Sequence, residues 1–287
     1  MPPRKTKETL VSTVAEQFFI KNQNTLPTMP EVASRLLRSF DDENISLAAI
    51  ADLVGKDSTL SAKVLRLANS AHYSPSHNVA TLQDAAHTLG MDKLRNLSLA
   101  ACISGSFPAV SGLDRSRFWR HSIVTAGYAR VLGRVLQLDA DTAYLAGLML
   151  RTGQLLMAMS EPALVADVEA HAAEPGSRFS LEMHRFGCTH ADVTAALAQR
   201  WHFPDKLVEA FKDANTPLEI KPFSLMAAVL HLAEVLADAA EHHDDPVQAM
   251  QVAVPELLEH LHLDLDFLRT KIEAAGDLGG DVDNLLH

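Results

Sequence analysis

Apolar residues recur at helical spacing along most of the chain. In the first segment, Glu8 to Phe19, the apolar residues Leu10, Val11, Val14 and Phe18 share one helical face. The same periodicity continues through the rest of the sequence and predicts a protein built from helices. After a composition shift at 107–118, it predicts helices at about 117–136, 140–159, 162–172, 178–186, 189–201, 204–213 and 222–239, with two or three more completing the chain.

Capping residues predict the ends of several helices in the first third of the chain. Ser46 is a favourable N-cap for a helix that ends near position 55. Thr81 followed three residues later by Asp84 predicts a capping box, and Gly90 predicts the end of that helix. We expect Asp92 to cap the helix that follows.

The fold class that these patterns predict is all-α, with two helical lobes. The segment 260–266, HLHLDLD, alternates like a strand, but a single strand would have no partner, so we expect a helix end and a new cap at Asp264 or Asp266. A composition shift at 107–118 predicts the boundary between the lobes. We divide the chain into an N-terminal helix (1–19), a domain (20–240, with lobes 20–108 and 114–240) and a C-terminal helical extension (241–287).

The stretch from Tyr144 to Ser160 is almost wholly apolar but is interrupted by the polar sequence Arg151-Thr152-Gly153-Gln154. A charged residue is rarely buried in a core helix unless it is paired. Two interpretations therefore remain open for Arg151. Its side chain either extends to solvent along its apolar stem or forms a buried ion pair.

Composition excludes several classes of function. A net charge of −11 over 287 residues does not favour non-specific binding to nucleic acid. The N-terminus has no apolar signal sequence, and no uncharged stretch approaches the ~20 residues needed to span a bilayer. Two distant cysteines, Cys102 and Cys188, fit two free thiols in a reducing compartment. We expect a cytoplasmic protein without membrane contact.

Short motifs supply no catalytic site. The fourteen histidines form no HExxH pattern, and neither a phosphate-binding glycine loop nor a nucleophile elbow is present. The segment 82–101 has the form of a helix-turn-helix, a DNA-binding alternative that would use Lys93, Arg95 and Asn96. Its second helix then becomes apolar, which favours burial over insertion into a groove. Nucleic acid is therefore not the expected partner.

Several longer motifs together resemble the HDOD domain family. They are LPTMPEVASRLL, the segment KDSTLSAKVLRLANSA and the turn AAHTLG in the first lobe, then FWRHSIVTA, YLAGLMLRTGQLL, FGCTHADVTAALAQRW and VLHLAEVLA in the second. Ser58 stands where the family commonly has proline, and both residue types suit a helix start. The resemblance covers roughly residues 20 to 240.

The resemblance implies a relationship to the HD phosphohydrolases, whose metal is held by a histidine, a His-Asp doublet and a later aspartate. His121 matches the first ligand, Leu150 and Arg151 occupy the place of the doublet, and Glu234 stands near the last ligand. His190 is similar to a histidine that HDOD domains often keep. Leucine cannot ligate a metal and arginine brings a positive charge, so we expect no metal, no cofactor and no catalysis.

Each of these positions also has a less specific interpretation. His121 is compatible with a core histidine that bonds to a backbone carbonyl. For Arg151, the more specific hypothesis is that its side chain replaces the missing cation and pairs with Glu234 or another acid nearby.

The resemblance further implies a bacterial signalling protein, of the kind that serves as a response-regulator output or adaptor domain through contacts with a protein partner. About 25 residues precede the matching region, too few for a receiver domain, so any signal is expected to arrive through a partner. We expect a partner surface that includes Asn69, Ser70 and Tyr73, and a homodimer is left open. The enzymatic alternative is a metal-dependent phosphohydrolase or phosphodiesterase with a reduced ligand set.

Overall fold

The structure, a computed structural model, describes residues 7–23, 25–39, 42, 44–69 and 79–279, and none of these residues forms a strand. The all-α prediction is therefore confirmed. The helices are α1 (Lys7–Lys21), α2 (Glu31–Arg38), α3 (Leu47–Gly55), α4 (Ser58–Ala68), α5 (Leu82–Leu89), α6 (Met91–Ser106), α7 (Arg115–Val135), α8 (Ala140–Met149), α9 (Thr152–Ser160), α10 (Pro162–His171), α11 (Ser177–Phe186), α12 (His190–Arg200), α13 (Asp205–Asp213), a 3-10 turn (Pro217–Glu219), α14 (Leu225–Glu241), α15 (Pro246–Ala253), α16 (Pro255–Leu261) and α17 (Leu265–Ala275).

Local capping places several helix ends where the sequence predicts them. The Ser46 hydroxyl accepts a hydrogen bond from the Ala49 amide at 3.1 Å. Thr81 and Asp84 form the reciprocal capping box, and Gly90 ends α5 with φ of 78°. Because the same glycine immediately precedes α6, the prediction that Asp92 caps α6 is wrong. Asp92 lies in the first turn instead, where a carboxylate still interacts favourably with the helix dipole.

The alternating segment 260–266 contains no strand. Helix α16 ends at Leu261, and the Asp264 side chain accepts a hydrogen bond from the Phe267 amide to begin α17. Asp264, the first of the two predicted caps, is therefore the one used.

The described residues form two compact units. One contains the described residues between 7 and 26 together with 109–278, and the other contains those between 27 and 108 together with 279. The boundary between 108 and 109 falls inside the composition shift at 107–118. The further division into an N-terminal helix, a domain and a C-terminal extension stays a prediction.

Helices α7, α8 and α14 form the centre of the larger unit. Their buried side chains include Leu132 of α7, Ala143 of α8, and Val229 and Leu236 of α14. This packing brings one face of α7 and one face of α14 to the end of α8, where the polar interruption of the sequence lies. None of the helices in the described ranges is both long and apolar enough to cross a bilayer.

The stretch 140–159 is not the single helix that its apolar pattern predicts. Helix α8 ends at Met149 and α9 begins at Thr152, with Arg151 at φ −88° and ψ 0° between them. The Thr194 hydroxyl of α12 donates to the Leu150 carbonyl at 2.7 Å and accepts from the Gly153 amide at 2.8 Å. A side chain from another helix thus bonds to two backbone groups at the junction, which explains why the apolar pattern alone could not predict the break.

Candidate functional site

Arg151 is buried at the junction between α8 and α9, with only 4% of its surface exposed. Its Nε donates to Glu234 Oε1 at 2.5 Å, and its Nη2 donates to Asp238 Oδ1 at 2.6 Å. The interpretation in which Arg151 extends to solvent is therefore wrong. The ion pair with Glu234 that the sequence suggested is present, and a second carboxylate completes it.

The acids that face Arg151 lie along one stripe of α14. Glu234, Asp238 and Glu241 are spaced i, i+4 and i+7, which places them on one helical face. Asp238 and Glu241 were missed by the sequence comparison, which used only one position on this helix. Their spacing on an otherwise apolar helix is the signal that finds them, because acids are rarely placed on a core-facing stripe without a partner.

His121 on α7 faces the same three carboxylates. Its Nε2 lies 3.4 Å from Glu234 and 3.7 Å from Asp238, and its Nδ1 lies 3.2 Å from Glu241. The expectation of a backbone carbonyl partner for His121 is therefore wrong. Burial and the positive charge of Arg151 oppose protonation, but the two glutamates outweigh them and raise the pKa of His121.

The carboxylates of the site are held in their ionised form. Burial by itself would raise the pKa of Glu234, but the charge of Arg151 and the hydrogen bond with His121 lower it well below its usual value. Glu241 follows the same pattern. Burial opposes its ionisation, yet contacts with His121 and Arg117 lower its pKa. Burial would likewise lower the pKa of Arg151, but the Glu234 and Asp238 charges raise it, so the guanidinium stays charged.

The charges in this cluster balance. Arg117 Nε donates to Glu241 Oε1 at 2.5 Å, so a second arginine approaches the cluster from the exposed side. When His121 is protonated, the state that its raised pKa favours, Arg117, Arg151 and His121 supply three positive charges, and the three acids of α14 supply three negative ones. A buried carboxylate without a cation would be costly, and each of these acids has one.

A group of potential metal ligands exists within this cluster. Ligand atoms of His121, Asp238 and Glu241 all lie within 4.8 Å of one another. However, Asp238 already accepts from Arg151 and Glu241 already accepts from Arg117. A divalent cation here would add two positive charges to a balanced cluster beside a guanidinium. Leu150, in the place of the first doublet residue, offers no donor atom. The residues present therefore do not fit an HD-type metal centre.

His190 lies at the edge of the cluster. Its Nδ1 lies 2.7 Å from Glu182 Oε2, and its ring stacks on Phe179 with centroids 4.9 Å apart. Its Nε2 lies 3.8 Å from Glu234 Oε1 and has no hydrogen-bond partner among the described residues. The structure thus brings His121, Arg151 and His190 to Glu234, at 3.4, 2.5 and 3.8 Å, and Leu150 is the residue that precedes Arg151.

Of the expected partner surface, only Asn69 lies among the described residues. Ser70 and Tyr73 fall outside the described residues. Asn69 is described, and its side-chain amide bonds to both the carbonyl and the N–H of Val79 at 2.7 Å. Asn69 therefore ties the end of α4 to Val79, ten residues later in the chain.

The segment 82–101 forms two helices separated by Gly90, as a helix-turn-helix would. On its second helix, however, Arg95 is 7% exposed and Asn96 is 3% exposed. Side chains that are buried cannot meet base edges in a groove. The DNA-binding alternative loses two of the three polar residues on which it depended.

Comparisons of the sequence and of the fold with known proteins indicate the same family. Residues 26–217 match the profile of the HDOD domain. The fold is similar to that of a crystal structure described as a putative phosphohydrolase from Shewanella amazonensis SB2B, with a TM-score of 0.75 and 28% identity over 94% of this chain and 98% of that one. It is also similar to an HDOD domain protein of unknown function from Geobacter sulfurreducens, with a TM-score of 0.77 and 24% identity over 96% and 98% of the two chains.

A curated relative extends the comparison. An uncharacterized protein of Treponema pallidum (strain Nichols) is 25% identical over 207 residues, which cover 69% of this chain and 40% of the relative. The match thus spans less than half of that longer protein. With two thirds of its length matched by the family profile, this chain belongs to the HDOD domain family.

Proposed function

We propose that this protein is a non-catalytic signalling protein that acts through protein–protein contacts in the bacterial cytoplasm. Membership in the HDOD family supports a regulatory role. The observation that carries the non-catalytic part is the Arg151 guanidinium, which bridges Glu234 and Asp238 at 2.5 and 2.6 Å in the place of a catalytic cation.

The chemistry of the guanidinium explains this inference. Metal-dependent hydrolysis relies on a cation that polarises phosphate oxygens and lowers the pKa of a bound water. Arginine has no coordination site for water and is not deprotonated in proteins, so it neutralises Glu234 and Asp238 without generating a nucleophile. The ion pairs therefore provide structure and charge balance rather than activated water.

The second candidate function is that of a metal-dependent phosphohydrolase. Two observations favour it: the ligand atoms of His121, Asp238 and Glu241 lie within 4.8 Å, and the Shewanella protein at 28% identity is described as a putative phosphohydrolase. This function would require Arg151 and Arg117 to leave the two acids when a metal binds.

An activity measurement separates the two functions. The full chain is incubated with phosphomonoester and phosphodiester chromogenic substrates in the presence of Mg²⁺, Mn²⁺ or Zn²⁺. We expect hydrolysis no faster than that of the matched His121→Ala variant. Metal-dependent turnover that is lost in His121→Ala would contradict the non-catalytic proposal.

The proposed partner surface around Asn69, Ser70 and Tyr73 has its own test. We expect affinity capture from the native cell extract to recover a protein partner with the wild-type chain and to lose it with Tyr73→Ala. Phe267→Ala is the matched control, because Phe267 is an aromatic residue on α17 with 47% of its surface exposed. Equal capture by Tyr73→Ala and Phe267→Ala would place the surface elsewhere. Light scattering of the same samples distinguishes a monomer from a homodimer.

A further inference from the structure

A cavity of about 220 Å³ lies beside the ionic cluster in the larger unit. It is much larger than a single water requires but smaller than the pockets that hold drug-sized ligands. Its wall contains equal numbers of basic and acidic side chains, namely Arg117, His121 and Arg151 against Asp114, Glu169 and Glu241.

Gln154 also lines this cavity and carries an unused acceptor. Its side chain is 1% exposed. Its Nε2 donates to Glu169 Oε1 at 2.7 Å, which determines the orientation of the amide, and its Oε1 has no partner among the described residues. An orphaned buried acceptor is costly and is usually satisfied by a ligand or an ordered water. Gln154 therefore offers an acceptor without a partner among the described residues at a position that lines this cavity.

The unused donors lie on the two arginines. Among the described residues, Arg151 uses Nε and Nη2 for the acids of α14, and its Nη1 has no carboxylate partner there. Within the same part of the chain, Arg117 donates through its Nε to Glu241, and its side chain is 51% exposed. Guanidinium groups bind carboxylates and other oxyanions with high geometric preference.

The acids of the cavity wall can accept hydrogen bonds from a cationic group of a ligand. Glu169 accepts through Oε1 from both Gln154 and Arg178. Asp114 caps α7 by accepting from the Arg117 amide through Oδ1. A carboxylate has about four acceptor sites, so each of these acids can accept further hydrogen bonds.

From these positions we propose that the cavity binds a small zwitterion of the α-amino acid class. The carboxylate of the ligand bonds to Arg117 and Arg151, and its ammonium group bonds to Gln154 Oε1 beside Glu169. A zwitterion adds no net charge to a wall that carries side chains of both signs, whereas a phosphate or a divalent cation would add charge of one sign. The 220 Å³ volume suits a molecule of this size.

This inference deepens the proposed function, since it assigns an input ligand to the metal-free site of a regulatory domain. The ligand proposal and the proposed function can nevertheless be tested separately. Failure of amino-acid binding leaves partner capture and the hydrolysis assay unaffected, and metal-dependent hydrolysis would be detected without any amino acid.

The test is calorimetric titration of the full chain with each of the twenty α-amino acids. For every amino acid that binds, the matched carboxylic acid without the amine and the matched amine without the carboxylate are titrated as well, together with inorganic phosphate. We expect saturable binding of at least one amino acid and none of its two truncated forms. No binding of any amino acid, or equal binding of a truncated form or of phosphate, would overturn the proposal.

Variants locate the site. Gln154→Leu removes the acceptor and Arg117→Ala removes a donor at the mouth, and each is expected to weaken binding by about tenfold or more, because each loses a hydrogen bond to a charged group of the ligand. Arg117→Ala keeps the test decisive if Gln154→Leu unfolds, since Arg117 is half exposed. Gln199→Leu, at an exposed position on α12, is the control with unchanged affinity. Unchanged affinity in Arg117→Ala would overturn the assignment of the ligand to this cavity.

Discussion

The junction between α5 and α6 and the junction between α8 and α9 each separate two helices by one or two residues, but different interactions hold them. At the first, Gly90 adopts φ of 78° and ends α5, with its N–H bonded to the Ala86 carbonyl one turn earlier. At the second, Thr194 bonds to the backbone on both sides of Arg151, and Arg151 bonds to two acids of α14. One junction depends on local conformation and the other on tertiary contacts.

The difference shows how a charged site can be built inside an apolar stretch. The break at Leu150 and Arg151 turns the arginine toward α14, and the long-range contacts supply the partners that a buried charge needs. We therefore expect substitutions at the second junction to cost more than matched substitutions at the first.

Arg151→Ala is expected to have the largest effect. It leaves Glu234 and Asp238 buried without their cation, which should lower the free energy of unfolding by about 3–5 kcal/mol. Urea denaturation measures the change. Arg185→Ala is the control, because Arg185 forms a half-exposed ion pair with Asp167 that should contribute about 1 kcal/mol or less. An unchanged melting temperature in Arg151→Ala would rule out a buried, essential pair.

Local signals explain the parts of the fold that the sequence predicted. The caps at Ser46 and Thr81 and the end of α5 at Gly90 depend on residues within four positions, so a pattern along the chain contains them. The break in 140–159 depends on Thr194, more than forty positions away, and the apolar pattern of the stretch continues through it. Asp92 was misassigned because Gly90 served both helices.

The candidate site was predictable only where a family motif covered it. His121, Arg151 and Glu234 were placed together by the resemblance, and their distances are consistent with that placement. Asp238 and Glu241 were not found, because they lie after the motif along α14, although their spacing from Glu234 on an otherwise apolar helix is a signal that could have found them. The partners of a histidine are also a tertiary property, which is why a carbonyl was expected for His121 instead of carboxylates.

Gly153→Ala compared with Gly90→Ala tests the two junctions directly. A Cβ on Gly153 would lie 2.2 Å from the His190 carbonyl oxygen and 2.6 Å from the Thr194 backbone nitrogen. Because backbone atoms cannot move aside easily, we expect Gly153→Ala to lower the free energy of unfolding by about 3 kcal/mol or more. A Cβ on Gly90 meets no atom within 4 Å, so the cost is only that of the positive φ, about 1–2 kcal/mol. Equal losses, measured by urea denaturation, would mean that α12 does not pack against the second junction as described.

Thr194→Val should lower the free energy of unfolding more than Thr81→Val does, by a smaller margin than the one expected between the two glycine variants. Thr194→Val keeps the shape of the side chain but leaves the Gly153 amide and the Leu150 carbonyl without their partner. This should lower the free energy of unfolding by about 2 kcal/mol. Thr81→Val removes an exposed N-cap, which should lower the free energy of unfolding by about 1 kcal/mol. Hydrogen exchange of the Gly153 amide provides a local readout. Protection of that amide in Thr194→Val equal to the wild type would contradict the account.

The pH dependence should show the smallest effect. The folded pKa of His121 is raised, so its contribution to stability is complete below its unfolded pKa of about 6.5 and is lost as pH rises through the folded value. The folded pKa values of Glu234 and Glu241 are lowered, so their contribution is present above about 4.3 and is lost as pH falls. Arg151 and Asp238 are the other charged groups that face His121 among the described residues. The difference in the free energy of unfolding between wild type and His121→Asn should therefore be largest between these two pH limits. A difference that stays constant up to pH 9 would show that His121 is neutral in the cluster.

The most direct test of the central claim, that Arg151 takes the place of a metal cation, is the metal content after equilibrium dialysis against Mn²⁺ or Zn²⁺. The wild-type chain should bind no more metal than its His121→Ala variant, because the charges around His121 already balance. The double variant Leu150→His/Arg151→Asp should take up roughly one ion per chain, since it removes the guanidinium and supplies two ligands. Stoichiometric metal binding by the wild-type chain that is lost in His121→Ala would contradict the claim.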